Sequence, residues 1–126
     1  MQFPSIEFVH ALKDALSQDA EFNRVSRWSD VKVLLCFGDE HYWMKLYGGK
    51  VIDVMPYVPL ANPLGWDYQI AGALDTWQQL RTRGAGPKPG AALLNCGRIR
   101  VDGNMLEANR MFESTHVIVE MIGRLQ

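Results

Sequence analysis

Three β-type runs separated by glycine-containing turns constrain the fold of this chain most strongly. Residues 31–37 and 41–47 are rich in β-branched and aromatic side chains, and the Gly-Asp-Glu between them is typical of a hairpin turn. Gly48-Gly49 supplies a second turn before a third run at 50–55. The pattern predicts an antiparallel meander of three strands.

Amphipathic helical patterns precede and follow this meander. An N-terminal helix is predicted from Pro4-Ser5 to near Asp19, with an apolar stripe formed by Phe8, Val9, Leu12, Ala15 and Leu16. After the meander we expect a strand at 66–71, a helix from Leu74, a helical turn at 91–95, a strand at 98–101 and one C-terminal helix capped by Asn104. This order predicts an α+β domain with its helices on one face of the sheet.

A proline-rich segment interrupts the periodicity between residues 56 and 65. Pro56, Pro59 and Pro63 each fix their own backbone angle and restrict the preceding residue. We therefore expect an ordered loop or a partial lid here.

Length and composition limit the functional classes. The 126 residues suit a single domain, 1–126, and the net charge of -1 argues against a nucleic-acid partner and against an electrostatic membrane anchor. No apolar run approaches the roughly 18 residues of a membrane span, and the N-terminus does not resemble a signal peptide. Cys36 and Cys96 are too few for a disulfide scaffold, so we expect reduced thiols and a cytoplasmic location.

Three stretches, "LYGGKVIDV", "ALDTWQQLRTRGAG" and "GAALLNCGRIRVDGNMLEAN", carry a family resemblance. The last combines small residues, a glycine, an alternating strand, a second glycine and an apolar helix. From about Tyr47 onward the chain resembles the sterol carrier protein 2 (SCP2) sterol-binding domain family. The resemblance implies a five-stranded, mostly antiparallel sheet covered by helices, with an apolar cavity between them for a sterol, a fatty acyl chain or another lipid. The proline-rich segment is longer than the usual connection at that place.

The resemblance also implies which side chains would line the cavity. Ile99 and Val101 would face its wall, with Gly97 allowing a close approach beside Cys96 and Gly103 turning the chain into the closing helix. Further candidates are Met44 and Leu46 on the strand face, Trp66, Tyr68 and Trp77 at a mouth beside the proline loop, and Met111, Phe112, Ile118 and Met121 on the C-terminal stripe. Ordinary core packing is the alternative for each of them.

The alternation of side chains in the strand at 41–47 predicts a surface for a partner protein. Its alternation places Tyr42, Met44 and Leu46 on one face and His41, Trp43, Lys45 and Tyr47 on the other, and the lysine indicates that this second face is exposed to solvent. Exposed Trp43 and Tyr47 would support a homodimer or a partner enzyme, and a merely solvated sheet is the alternative.

Signals for catalysis are weak. His116 and Glu120, and His10 and Asp14, are spaced to share a helix face, but neither pair has a third ligand nearby, so a solvated face is the simpler interpretation. Residues 38–41 (Gly-Asp-Glu-His) belong in a turn, and no nucleophile, phosphate-loop or dinucleotide motif is present. Arg81 and Arg83 would either pair with an anionic head group or complement a helix C-terminus.

The sequence thus predicts a carrier for a hydrophobic ligand, with no cofactor and no metal. The alternative is an accessory subunit that presents a quinone precursor, a terpenoid or an acyl thioester to a partner enzyme. A lyase or isomerase that uses His116 and Glu120, or His41, is a third interpretation.

Overall fold

The computed structural model describes residues 2–58, 64–83 and 89–125. Within these residues the chain has the α+β class predicted from the sequence. The elements in chain order are α1 (Ile6–Ser17), α2 (Ala20–Val25), β1 (Asp30–Phe37), β2 (Glu40–Tyr47), β3 (Lys50–Pro56), β4 (Tyr68–Gly72), α3 (Leu74–Arg83), α4 (Pro89–Asn95), β5 (Ile99–Gly103), α5 (Met105–Arg110) and α6 (Phe112–Arg124).

The five strands form a single sheet in the order β3-β2-β1-β4-β5. β1 pairs antiparallel with β2 and parallel with β4, and the other neighbouring pairs are antiparallel. The predicted meander is therefore confirmed, with Gly38, Gly48 and Gly49 at positive φ in its two turns. The chain then crosses to the other side of β1, which leaves β5 as an edge strand next to the C-terminal helices.

One face of the sheet packs against the helices and forms the main core. Strand residues that alternate along β1 and β2, such as Val33, Leu35 and Met44, meet Phe8 and Leu12 of α1 and the apolar stripe of α6. Ser5 begins α1 as predicted, because its side chain accepts the Phe8 N–H at 3.1 Å.

The opposite face carries a smaller apolar cluster that corrects the prediction for Trp43. Trp43 is only 4% exposed and lies with Leu34, Cys36 and Ala71 beneath Met55, Tyr57 and Trp66. The two ends of the proline-rich segment thus cross this face, and Pro59 and Pro63 lie outside the described residues. Tyr47 is 57% exposed, as predicted, and Lys45 pairs with Asp30 at the wet end of the face.

The C-terminal region contains two helices where the sequence pattern predicts one. Asn104 caps α5 as expected, by accepting the N–H groups of Leu106 and Glu107. The backbone then leaves helical geometry at Met111, whose ψ is 18°. This bend allows Ala108 of α5 and the apolar stripe of α6 to be buried together, while Phe112 faces outward.

Of the two glycines at the ends of the predicted strand, Gly103 leads into the next helix as expected, but the close approach expected at Gly97 is wrong. A Cβ at Gly97 would meet open space, so its φ of 81° is the feature that requires glycine, at the point where α4 ends. Gly103 combines a φ of 120° with a close approach, since a Cβ there would lie 2.9 Å from the Asp67 carbonyl oxygen. Close packing therefore occurs at the second glycine, against the start of β4.

Candidate functional site

A cleft of about 380 Å³ lies along the edge strand β5, between this strand and helices α4, α5 and α6. Its apolar lining comes from each of these elements and consists of Leu94, Ile99, Val101, Met105, Ala108 and Phe112. Ile99 is buried, whereas Met105 and Phe112 are 49% and 59% exposed. The cleft therefore has an apolar floor that belongs to the core and an apolar rim that is open to solvent.

Local sequence positions the walls of this cleft. The alternation of β5 directs Ile99 and Val101 toward the helices, and Gly103 with the Asn104 cap starts α5 directly after the strand. The Tyr68 hydroxyl and the Thr115 hydroxyl share a 3.1 Å hydrogen bond, which ties α6 to β4. The cleft is thus bounded by elements that are fixed on the main core.

A second cleft of about 450 Å³ lies on the neighbouring surface, between α2, the start of α4 and α6. Phe112 and His116 line both clefts. The remaining lining is more strongly charged and includes Glu21, Arg24, Glu113, Glu120 and Arg124. α6 therefore contributes residues to two adjacent openings, of which the β5 cleft has the fewer charged side chains.

Phe112 and His116 form a ring pair where the two clefts meet. Their ring centroids lie 4.5 Å apart with an interplanar angle of 60°. The Nε2 atom of His116 is buried, and it has no hydrogen-bond partner among the residues that the structure describes. A buried nitrogen of this kind is uncommon in folded proteins, because its lost contact with water is not compensated.

Glu120 does not act together with His116 in the way the spacing suggested. Its Oε1 accepts the Gly90 N–H at 2.8 Å, and its Oε2 accepts the Ala91 N–H at 3.2 Å. The carboxylate therefore holds the first turn of α4 against α6, so the interpretation of a solvated face is wrong for Glu120.

The other candidates for chemistry lie apart from this site. His10 and Asp14 are exposed on α1, and His41 lines a different cleft with Asp39 and Glu40 at the β1–β2 turn. No group of three His, Cys, Asp or Glu side chains suited to a metal occurs in the described parts of the chain. None of the described helices has the length and apolar character needed to cross a membrane.

The structure brings three of the predicted ligand-contacting residues together. Ile99, Val101 and Phe112 line the β5 cleft. The other candidates on the helix side of the sheet are buried in the core, namely Met44, Leu46, Tyr68, Trp77, Met111, Ile118 and Met121. Trp66 packs on the opposite face of the sheet. A role in ligand binding stays a prediction for all of them.

The three aromatic residues expected at a mouth do not share one opening. Trp77 is fully buried and its Nε1 donates to the Cys36 carbonyl at 3.0 Å, so its polar end points into the sheet. Tyr68 is also fully buried, and burial raises its pKa to about 12. The prediction that these three residues share one mouth is therefore wrong, because the sheet separates Trp66 from Tyr68 and Trp77.

Arg81 complements a helix C-terminus, but that of α6 and not of its own helix. Its guanidinium donates to the carbonyls of Ile122 and Leu125 at 3.1 and 2.7 Å, and it lies 4.5 Å from the ring centroids of Phe3 and Phe8. Burial lowers its pKa from the usual value. The side chain of Arg83 lies outside the described residues.

Sequence reasoning missed several residues of the β5 cleft. Ala108, Thr115 and His116 were not predicted there as lining residues. Ala108 and Phe112 are four apart, as are Phe112 and His116, which is the helical signal that could have grouped them. This spacing identifies a cleft only when the position of β5 beneath these three residues is also known.

Comparisons with solved structures agree on the fold. A crystal structure of sterol carrier protein 2 superimposes with a TM-score of 0.72 and 14% identity, covering 95% of this chain and 96% of that one. A conserved hypothetical protein from Thermus thermophilus gives 0.69 and 14%, covering 98% and 89%. A UbiJ-SCP2 ubiquinone synthesis protein gives 0.57 and 14%, covering 97% and 95%.

Sequence comparisons add no closer relative. No protein-family model matches the chain, and no curated protein matches it either. The structural matches nevertheless cover nearly the whole length of this chain and of their own chains. The protein therefore has the SCP2-like fold.

Proposed function

We propose that this protein binds a hydrophobic ligand, such as a sterol, a fatty acyl chain or another lipid, in the β5 cleft. The observation that carries the proposal is the apolar floor of Ile99 and Val101 beneath a rim of exposed Met105 and Phe112. Large exposed apolar side chains around a concave surface are typical of ligand or partner sites. The SCP2-like fold supports the same function, since several proteins of this fold carry the name sterol carrier.

The size and chemistry of the cleft suit a single apolar chain or a small ring system. Its volume of about 380 Å³ lies within the usual range of roughly 300–1,000 Å³ for ligand sites. Removing apolar surface from water contributes about 25 cal/mol per Å², so burial alone provides the driving force. A binding role of this kind requires no cofactor and no catalytic group.

The predicted residues enter this proposal at two levels. Ile99, Val101 and Phe112 contact the ligand in the cleft as it stands. The buried candidates Met44, Leu46, Tyr68, Trp77, Met111, Ile118 and Met121 would touch it only where the ligand extends between the sheet and the helices. Trp66 has no part in either arrangement.

We further propose a cytoplasmic location. Cys36 and Cys96 are both free thiols, and burial raises the pKa of Cys36 to about 11, which keeps it in the unreactive thiol form. Free thiols suit a reducing compartment.

An accessory role in a biosynthetic reaction is the second candidate. Leu106 is 77% exposed on α5 and lies next to Met105 at the rim of the cleft, where a partner enzyme would meet the ligand. The likeness to a ubiquinone synthesis protein favours the same role. In this case the protein presents the ligand to an enzyme instead of carrying it between membranes.

The primary test is a fluorescence titration with Nile red, a neutral apolar dye. The Val101→Trp variant fills the cleft, and we expect it to lose at least tenfold in dye affinity. Ile52→Trp is the matched control, because Ile52 is 53% exposed on β3, at the opposite edge of the sheet. Equal dye affinity in the wild type and in the folded Val101→Trp protein would contradict the proposed site.

The variant Leu106→Ser distinguishes the lipid carrier from the accessory subunit. This variant leaves the floor of the cleft intact, so its Nile red affinity should stay within about twofold of the wild type. An accessory subunit carrying this change would bind ligand normally and fail to support product formation by its enzyme. A lipid carrier would support transfer between vesicles at the wild-type rate.

A further inference from the structure

The imidazole of His116 is a polar group at the meeting point of two clefts. Its Nε2 is buried without a hydrogen-bond partner among the described residues. The nearest ring is that of Phe112, which offers an apolar surface and no conventional hydrogen-bonding atom. Depending on its tautomer, Nε2 donates or accepts a hydrogen bond, so either kind of ligand group can supply the missing partner.

Other polar side chains along the β5 cleft either have a partner or are exposed to water. The Thr115 hydroxyl bonds to the Tyr68 hydroxyl at 3.1 Å, and the Asn104 side chain before α5 caps that helix. Arg100 and Asp102 form an ion pair at 4.0 Å. His116 is therefore the group in this lining from which a bound polar atom would gain most.

The charges around His116 argue against an anionic head group. The α2–α6 cleft is lined by three carboxylates and two guanidinium groups, belonging to Glu21, Glu113, Glu120, Arg24 and Arg124. The β5 cleft adds one charge of each sign, from Arg100 and Asp102. Because cationic groups are not in excess, the large cost of removing a carboxylate or phosphate from water would not be offset. A neutral hydroxyl or carbonyl costs less to remove from water, and one hydrogen bond offsets that cost.

We propose that His116 hydrogen-bonds the neutral polar end, a hydroxyl or a carbonyl, of an amphiphile whose apolar part lies in the β5 cleft. This inference rests on the proposed function and names the class of ligand. His116 is then the residue that fixes the orientation of the ligand. The apolar end lies against Ile99 and Val101, and the polar end points toward α6.

Competition against Nile red by dodecanol, dodecanoate and dodecane tests this assignment. The variants are His116→Leu, His116→Gln and the control His10→Leu, which changes an exposed histidine on α1. Comparing variants for one competitor removes the effect of its solubility in water. We expect His116→Leu to bind dodecanol about three- to tenfold more weakly than the wild type, the loss of one neutral hydrogen bond. Dodecane affinity should not fall, and His116→Gln and His10→Leu should retain dodecanol binding.

Two results would overturn the assignment. One is wild-type dodecanol affinity in His116→Leu, and the other is a dodecanoate affinity that exceeds that for dodecanol and depends on His116. Nitrogen NMR of the wild type provides a second measurement that needs no variant. The Nε2 resonance of His116 should move with dodecanol but not with dodecane, and an unchanged resonance at saturation contradicts the proposal. Failure of Nile red and all three competitors to bind would instead reject the proposed function itself.

Discussion

The indole Nε1 of Trp43 donates a 2.9 Å hydrogen bond to the carbonyl oxygen of Gly65, on the face of the sheet away from the helices. This bond joins the middle of β2 to the end of the proline-rich segment. Tyr57, at the other end of that segment, donates its N–H to the His41 carbonyl at 3.0 Å. The chain therefore covers its own outer face at Trp43, so this side chain is part of the protein interior and not a ready partner surface.

Removal of Trp43 should destabilise the fold. Trp43→Ala leaves a cavity in the outer cluster and an unpaired Gly65 carbonyl, so we expect a loss of about 3 kcal/mol in the free energy of unfolding. Trp28→Ala is the matched control, because Trp28 is 80% exposed and should cost less than about 0.5 kcal/mol. Urea denaturation measures both values. Equal stabilities of the two variants would show that Trp43 is not buried in solution.

The carboxylate of Glu120 should stabilise the start of α4. Glu120→Ala removes both hydrogen bonds to the amides of Gly90 and Ala91, at a cost of about 1–2 kcal/mol. Glu120→Gln keeps one acceptor oxygen and should lose less. Glu113 is exposed on the first turn of α6, the helix that also carries Glu120. Glu113→Ala should therefore change the free energy of unfolding by under about 1 kcal/mol. A larger loss in the free energy of unfolding for Glu113→Ala than for Glu120→Ala in urea denaturation would contradict this role of Glu120.

Tyr68 should make the protein sensitive to alkaline pH. Burial raises its pKa from 10.0 to about 12, so the folded state binds more protons than the unfolded state between these values. Its stabilising contribution is complete below about pH 10, and the free energy of unfolding falls by up to about 1.4 kcal/mol per pH unit as pH rises toward 12. Urea denaturation across this range should give a shallower slope for Tyr68→Phe and the wild-type slope for Tyr47→Phe, the exposed control. Identical slopes in all three proteins would contradict the burial of the Tyr68 hydroxyl.

Phe112 should matter more for binding than for folding. Its side chain is 59% exposed and lines both clefts, so Phe112→Ala removes ligand contacts but little core packing. We expect Nile red affinity to fall about threefold or more and the free energy of unfolding to change by under about 1 kcal/mol. A large loss of stability with unchanged dye affinity would assign Phe112 to the core instead.

The elements of the fold could be predicted because their patterns are local. The alternation in β1 and β2, the Gly48-Gly49 turn and the Asn104 cap each depend on neighbours within a few residues. The bend at Met111 was missed because an apolar stripe runs through it without interruption. The exposure of Trp43 was predicted wrongly because its cover, Tyr57 and Trp66, comes from a segment whose path no periodicity describes.

The candidate site was harder to predict for a related reason. Ile99 and Val101 could be placed on one face by alternation, but the opening between them and α5 depends on how α4, α5 and α6 pack. Met111 and Phe112 are consecutive in the sequence, yet Met111 is 4% exposed and Phe112 is 59% exposed. The spacing in the sequence pairs His116 with Glu120, whereas the structure places its ring against that of Phe112, where the two clefts meet.

Native mass spectrometry of the wild-type protein, with and without added dodecanol, is the direct test of ligand binding in the β5 cleft. We expect a complex with one ligand per chain, which is less abundant in Val101→Trp and equally abundant in Ile52→Trp. Solvent extraction of the protein as purified would then identify any ligand acquired in the cell. A spectrum that contains only the mass of the chain at saturating dodecanol, or a complex of equal abundance in Val101→Trp, would contradict ligand binding in the β5 cleft.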